Sequence, residues 1–160
     1  MSLLFTVRWL LPKIGIFGPS ASTIIGEELR IAMEETVLIG QREVAVLTPV
    51  GATGLLRGGI MSEVRGSTAQ LRGVVVTTSG YALPVEEGSR PHWAPIGPLL
   101  LWARRKLGDE QSAYRVRWAI HVRGTKAVHM FRDGGAIMRQ RAPGIFQRAL
   151  LRIRQRLGGA

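Results

Sequence analysis

The chain opens on Leu3–Leu10 (LLFTVRWL), whose aliphatic, aromatic and β-branched residues have the composition of a strand. Pro12 and the Gly15…Gly18-Pro19 stretch end it. The period then changes. Ile25, Leu29, Ala32, Met33, Val37, Val44 and Leu47 recur at helical spacing, which predicts a long helix ending near Leu47. Ser20 or Ser22 can cap it, and Pro49 closes it. Glu27 and Glu28 are expected in its first turns, where negative charge suits the helix dipole. Residues 49–59 (PVGATGLLRGG) read as a glycine-rich loop. Ile60–Arg65 and Gln70–Thr78 read as strands, the second centred on Val74-Val75-Val76, with a hairpin turn at Gly66-Ser67-Thr68.

Tyr81–Gly88 has room for one short helical turn, and Arg90-Pro91-His92-Trp93-Ala94-Pro95 for a rigid loop. Beyond it the pattern is mostly helical. Pro98 suits a first turn and Leu99–Leu107 continues from it to Gly108. Asp109 caps a second helix from Glu110 to about Val122, ending at Gly124. The last helix is expected from roughly Gly144 to Leu157, with Phe146, Leu150, Ile153 and Leu157 as its apolar stripe. Gly158-Gly159-Ala160 reads as a loose end. The predicted fold class is therefore α+β. A long N-terminal helix packs on a small, mainly antiparallel sheet, and a helical, basic C-terminal third follows. The 160 residues contain no internal repeat and no long linker, so 1–160 read as a single domain.

Charge adds an asymmetry that the hydrophobic pattern does not show. The net charge is +11. Residues 1–100 hold as many acids as bases, and residues 101–160 carry the whole excess. Nearly all the cations are arginines, whose planar fork suits fixed contacts to phosphate or carboxylate. On the predicted last helix, Arg148, Arg152, Arg154 and Arg156 lie off the apolar stripe. They are the candidates for contact with duplex phosphates, without sequence readout, or with an acidic protein ring. The absence of cysteine excludes disulfides, thiolate metal sites and a cysteine nucleophile. The run Leu3–Leu11 is too short to span a membrane, which takes about 20 apolar residues. Arg8 interrupts it and no positive charge precedes it, so it does not read as a signal peptide.

Catalytic and cofactor chemistry finds little footing. The Gly51–Gly59 loop lacks the Lys and Ser/Thr of a phosphate-binding loop, because Leu55-Leu56-Arg57 follow Gly54. His92, His121 and His129 show no i, i+4 pair for a metal, and His92 is expected to satisfy backbone groups in its own loop. Glu86 and Glu87 are sequence neighbours, whereas paired-carboxylate chemistry needs groups facing each other across a substrate. No G-x-S-x-G elbow is present. Of Trp9, Trp93, Trp102 and Trp118, only Trp93 falls in a predicted loop; the others are expected in the core. No catalytic, cofactor or metal site is predicted, and the chain does not read as an enzyme.

Four blocks resemble one known family. Leu47-Thr48-Pro49-Val50-Gly51-Ala52-Thr53-Gly54-Leu55-Leu56-Arg57-Gly58 is similar to an A-P-V-D-T-G-x-L-R segment that follows a long helix. Here the aspartate is absent and one residue is inserted. Tyr81-Ala82-Leu83-Pro84-Val85-Glu86-Glu87-Gly88-Ser89-Arg90-Pro91-His92 resembles Y-A-x-x-V-E-x-G-T-x-P-H. Pro98–Gly108 carries Trp102-Ala103-Arg104-Arg105-Lys106-Leu107-Gly108, similar to W-A-R-R-K-L-G. Gly124-Thr125-Lys126-Ala127-Val128-His129-Met130-Phe131-Arg132 resembles G-T-K-x-x-P-F-F-R, with His129 and Met130 in place of the proline and first phenylalanine. The patterns that these blocks resemble are those of the tail-completion or head–tail neck proteins of long-tailed bacteriophages. The resemblance spans about residues 20–132.

It implies a virion structural protein made in the host cytoplasm and built into the neck. There it would act as a homo-hexameric ring between portal or adaptor proteins and the tail terminator or tail tube. It implies no catalytic residues. Arg90, Pro91, His92 and Trp93 would form an assembly contact loop, and the C-terminal arginines would face genomic DNA in the channel or an acidic neighbouring ring. Two alternatives stay open: a small nonspecific DNA-binding protein, and another neck component such as a tail terminator or head-side adaptor.

Overall fold

The computed structural model describes residues 3–10, 19–67 and 70–158, with backbone alone for 3–10 and Pro19. It is a mixed α/β arrangement of a long N-terminal helix, a small antiparallel sheet and a helical C-terminal part. The elements are β1 (Leu3–Leu10), α1 (Pro19–Leu47), α2 (Leu55–Gly58), β2 (Ile60–Ser67), β3 (Gln70–Thr77), α3 (Ala82–Glu87), α4 (Ile96–Leu107), α5 (Gln111–Arg123) and α6 (Met130–Gly158). The expectations at Pro12, Gly15 and Gly18, the Trp9 side chain, Thr68 of the hairpin turn and the Gly159-Ala160 end lie outside the described residues.

β3 is the central strand. β1 and β2 flank it, both antiparallel, with Leu3 and Ile60 each opposite Thr77. Along β3, Leu71, Gly73, Val75 and Thr77 are buried at alternate positions, the signature of one face packed on a neighbour. That neighbour is α1. A Cβ on Gly73 would meet Val37 Cγ1 at 2.4 Å and Met33 Sδ at 2.8 Å, so the missing side chain lets the helix lie close on the strand. Polar ties fix the register. Gln41 Nε2 donates to the Ile60 carbonyl at 2.8 Å and accepts through Oε1 from Ser62 Oγ at 2.6 Å.

α1 also packs against α6, and both helices share one core with the sheet. One core cluster joins Ile25, Leu29 and Met33 to Ile145, Phe146, Ala149 and Ile153, with Leu71 of the sheet. A second joins Val37, Val44, Ile60, Val75, Met130 and Phe131. The helices approach closely where Gly134 lies on Val44; a Cβ there would stand 2.9 Å from the Val44 backbone nitrogen.

Several boundaries differ from the sequence expectation. α6 begins at Met130, not near Gly144, and runs through Gly134-Gly135 and Pro143. Local propensity argues against helix there. Burial of Gly134, Gly135 and Met138 against α1 overrides it. Within α6, Leu150 is 52% exposed; Ile145 and Ala149 share the buried face with Phe146 and Ile153 in its place. α1 starts at Pro19, ahead of both serines, so its first turn holds no acid and Glu27 and Glu28 serve another purpose. Leu47, at its end, is exposed. The glycine-rich loop contains one helical turn, α2.

Candidate interaction surfaces

The arginines singled out in the C-terminal helix are engaged within the chain. Arg148 Nη2 lies 2.7 Å from Glu35 Oε1, and Arg152 Nε 2.6 Å from Glu28 Oε2. Arg156 reaches Glu27 and Glu28, each at 3.1 Å. Arg141 extends the row, 3.4 Å from Glu43. Acids ascending α1 meet arginines descending α6, so the ladder records two antiparallel helices in register. Glu28 is buried, and the Arg152 guanidinium hydrogen-bonded to it, aided by Arg156, holds its carboxyl below the usual range against the opposing effect of burial. Of the four candidates only Arg154 forms no ion pair among the described residues. Three of the four candidates are thus already committed to carboxylates of α1.

A second engagement joins the 81–92 block to the start of α6. α3 is closed by Gly88 at φ 78°, where a left-handed turn demands glycine. Glu86 is buried and its carboxylate accepts from the Phe131 amide at 2.8 Å and the Arg132 amide at 3.0 Å. These are two of the donors that the first turn of a helix leaves unpaired. The backbone follows suit. Val128 donates to the Val85 carbonyl, His129 to that of Glu86, and Ser89 exchanges two bonds with Thr125. His129, the residue before the helix, sits at φ 57° and is held there by this pairing.

The third feature is an open apolar cleft of about 880 Å³ between the 49–56 loop, Ser79–Tyr81 and the first turns of α4. Trp102, half-buried, lines it with Leu99 and Leu101 from one side and Val50, Leu55 and Leu56 from the other. Arg105 Nη1 ties the two sides by donating to the Ala52 carbonyl at 2.7 Å.

The fourth is the loop at residues 90–95 and the helix beneath it. Arg90, Pro91, His92 and Trp93 are all exposed. The loop is pinned to α5, since His92 N–H donates to the Ile120 carbonyl and Arg117 Nε to that of Ala94 at 3.0 Å. His92 Nδ1 lies 2.8 Å from the Arg90 carbonyl, so this histidine serves its own loop backbone. Trp93 stacks on His121, with centroids 3.8 Å apart and planes at 14°, and the Arg117 guanidinium stands 5.0 Å from its ring.

Trp118, expected in the core, is 61% exposed. On a helical wheel Ala113, Val116 and Ile120 share one side of α5, and Tyr114, Trp118 and Val122 the opposite side. Ala113 is buried, whereas Tyr114, Trp118 and Val122 all face solvent. The spacing i, i+4, i+8 was legible. A large apolar side chain on a helix need not enter the core: α5 has two apolar sides, and the Tyr114–Trp118–Val122 side is left to solvent.

Among the described residues no group of three His, Asp or Glu could hold a metal ion, and no helix is long and apolar enough to cross a membrane. No family model, no curated protein and no solved structure matches the chain.

Proposed function

We propose that the chain is a structural component of the neck of a long-tailed bacteriophage. It would be a tail-completion protein acting as a homo-hexameric ring between the portal side and the tail. What supports this reading is the way the four family-like blocks meet. Residues 81–92 lie against residues 124–132 through the Ser89–Thr125 bridge and the Glu86 cap. Residues 49–56 face the 98–102 part of the third block across the apolar cleft, and Arg105 bonds Ala52. Residues far apart in sequence thus occur together because they build the same two junctions. The residues resembling the family serve turns, caps and packing, as suits a part whose work is to hold a shape. The open cleft and the exposed Trp93 loop are the faces left for neighbouring rings.

The test is genetic and visual. In a phage encoding this chain, disrupting its gene should leave filled heads and complete tails that fail to join. Antibody-gold against the intact protein should mark the head–tail junction of wild-type particles. Label on the capsid shell or tail tip, or particles of normal form without the protein, would refute the assignment.

A further inference from the structure

Several cations outside the α1–α6 ladder lie on α5 and the segments that flank it, beside exposed aromatic rings. Arg90, Arg115, Arg117, Arg123 and Lys126 form no ion pair among the described residues. The acids of residues 90–126 are Asp109 and Glu110; both make hydrogen bonds or ion pairs elsewhere, although the charge of Arg115 still acts on Asp109. Asp109 accepts from the Gln111 and Ser112 amides at the start of α5, and Glu110 pairs with Arg104. Gly124 closely approaches the 89–90 backbone, which sets the segments carrying Arg90 and Arg123 side by side, and Lys126 lies two residues on. On the helical wheel Arg115 and Arg117 flank the Tyr114–Trp118–Val122 stripe from its two sides.

We propose that this face binds single-stranded nucleic acid, with bases stacking on Trp118 and Tyr114 and phosphates against the surrounding cations. Ring geometry favours this occupant. Trp118 is tilted 58° to Trp93, 6.1 Å between centroids, and 51° to His121, so among the described residues no parallel ring covers it. Tyr114 is 58% exposed, one turn away. Open aromatic faces beside unpaired arginines are the two components of strand binding without sequence preference, because every base offers a π-face and every nucleotide a phosphate. A duplex would satisfy the cations but keep its bases stacked out of reach. A second copy docked face to face would bring like charges together. The inference does not need the assembly role proposed above, although its face borders on the Trp93 loop which that role gives to a neighbouring ring.

The test is fluorescence anisotropy with the full chain and three probes: labelled dT20, a 20-base-pair duplex, and poly-glutamate as competitor. Binding to dT20 should quench indole emission and weaken steeply between about 50 and 200 mM salt. It should exceed duplex binding severalfold. Trp118→Ala should weaken dT20 binding about tenfold, with little effect on the duplex. Trp118→Phe, which keeps a stacking face, should restore most of it. Arg123→Gln with Lys126→Gln should flatten the salt dependence for both nucleic acids. Trp118 is exposed, so the circular dichroism of its variants should match that of the parent. The proposal is overturned by duplex affinity equal to or above that for dT20, or by an unchanged Trp118→Ala affinity. Equal competition by poly-glutamate, which would mark a surface for acidic protein, or no dT20 binding at the lowest salt would overturn it as well.

Discussion

Replacing Glu86 with alanine is the most informative single change to the scaffold. Its carboxylate is 7% exposed and accepts two backbone N–H bonds from the second and third residues of α6, Phe131 and Arg132. An ordinary capping side chain is worth about 1 kcal/mol. Here the acceptor is anionic, sits at the positive end of a 29-residue helix, and serves two donors. Each buried donor left unpaired costs about 1–3 kcal/mol. Arg132 is exposed, so water can recover part of that at its amide, whereas Phe131 is buried. The expected net loss for Glu86→Ala is about 3 kcal/mol. Glu86→Gln should recover less than half of it, because its NH2 group would face one of the two amides, donor to donor. Neighbouring Glu87 is exposed, and Glu87→Ala should stay within about 0.5 kcal/mol of the parent. Urea denaturation followed by circular dichroism measures all three, and hydrogen exchange should show the Phe131 and Arg132 amides losing protection first. A Glu86→Ala protein with native dichroism and stability within about 1 kcal/mol of the parent would show that these bonds do not hold α6 to the 81–92 block.

Other expectations concern the helix pair. Gly134→Ala should lower stability by about 2 kcal/mol despite its better helix propensity, because the new Cβ meets the Val44 backbone. Gly144→Ala, whose Cβ meets nothing nearer than Arg148 Nη1 at 4.0 Å, should raise stability by about 0.5–1 kcal/mol; thermal melts compare the two. Glu28→Gln should cost about 2 kcal/mol at neutral pH. The Glu28 carboxyl is depressed in the folded state, so its contribution is fully present above the ordinary glutamate value of about 4.3 and is lost as pH falls toward the lowered one. The gap between parent and variant should therefore close in acid, and a gap unchanged near pH 3 would contradict the pairing. Arg148→Gln should cost under about 1 kcal/mol in denaturant titrations, since both partners of that bridge are half-exposed.

Where period and punctuation agreed, the elements were legible. α1 and its inward residues Ile25, Leu29, Met33, Val37 and Val44 follow directly from spacing. So do β2 and β3, and α5 with Asp109 ahead of it. Where a local signal opposed a tertiary one, local reading failed. Gly134-Gly135 and Pro143 look like breaks, yet the glycines are what allow α6 to approach Val44. That use of glycine depends on a partner helix some 90 residues earlier, which no window along the chain contains. The Glu86 cap was hidden for the same reason. A carboxylate serving a helix 45 residues away leaves no capping box at that helix, and His129 at its edge is not a capping residue.

The same gap between local and tertiary information moves the charge. Counted along the sequence, the first hundred residues are neutral and the last sixty basic, which pointed to the last helix as the anion-binding face. Folding pairs charges across that division. Arg148, Arg152 and Arg156 take carboxylates 113 to 129 residues away, and those carboxylates are then unavailable to the cations of their own half. The excess must therefore reappear wherever cations find no acid. Part of it does so around α5, where Arg90, Arg115, Arg117, Arg123 and Lys126 form no ion pair among the described residues. An exposed ion pair contributes little stability, so its absence there costs the fold almost nothing. The free cations instead raise the local potential beside Trp93, Trp118 and Tyr114, and a positive field around open rings favours an anionic partner with flat apolar groups. Arginine-rich sequence alone would place such a partner on α6; the ion-pair ladder there and the unpaired cations beside α5 are what favour the site proposed on α5.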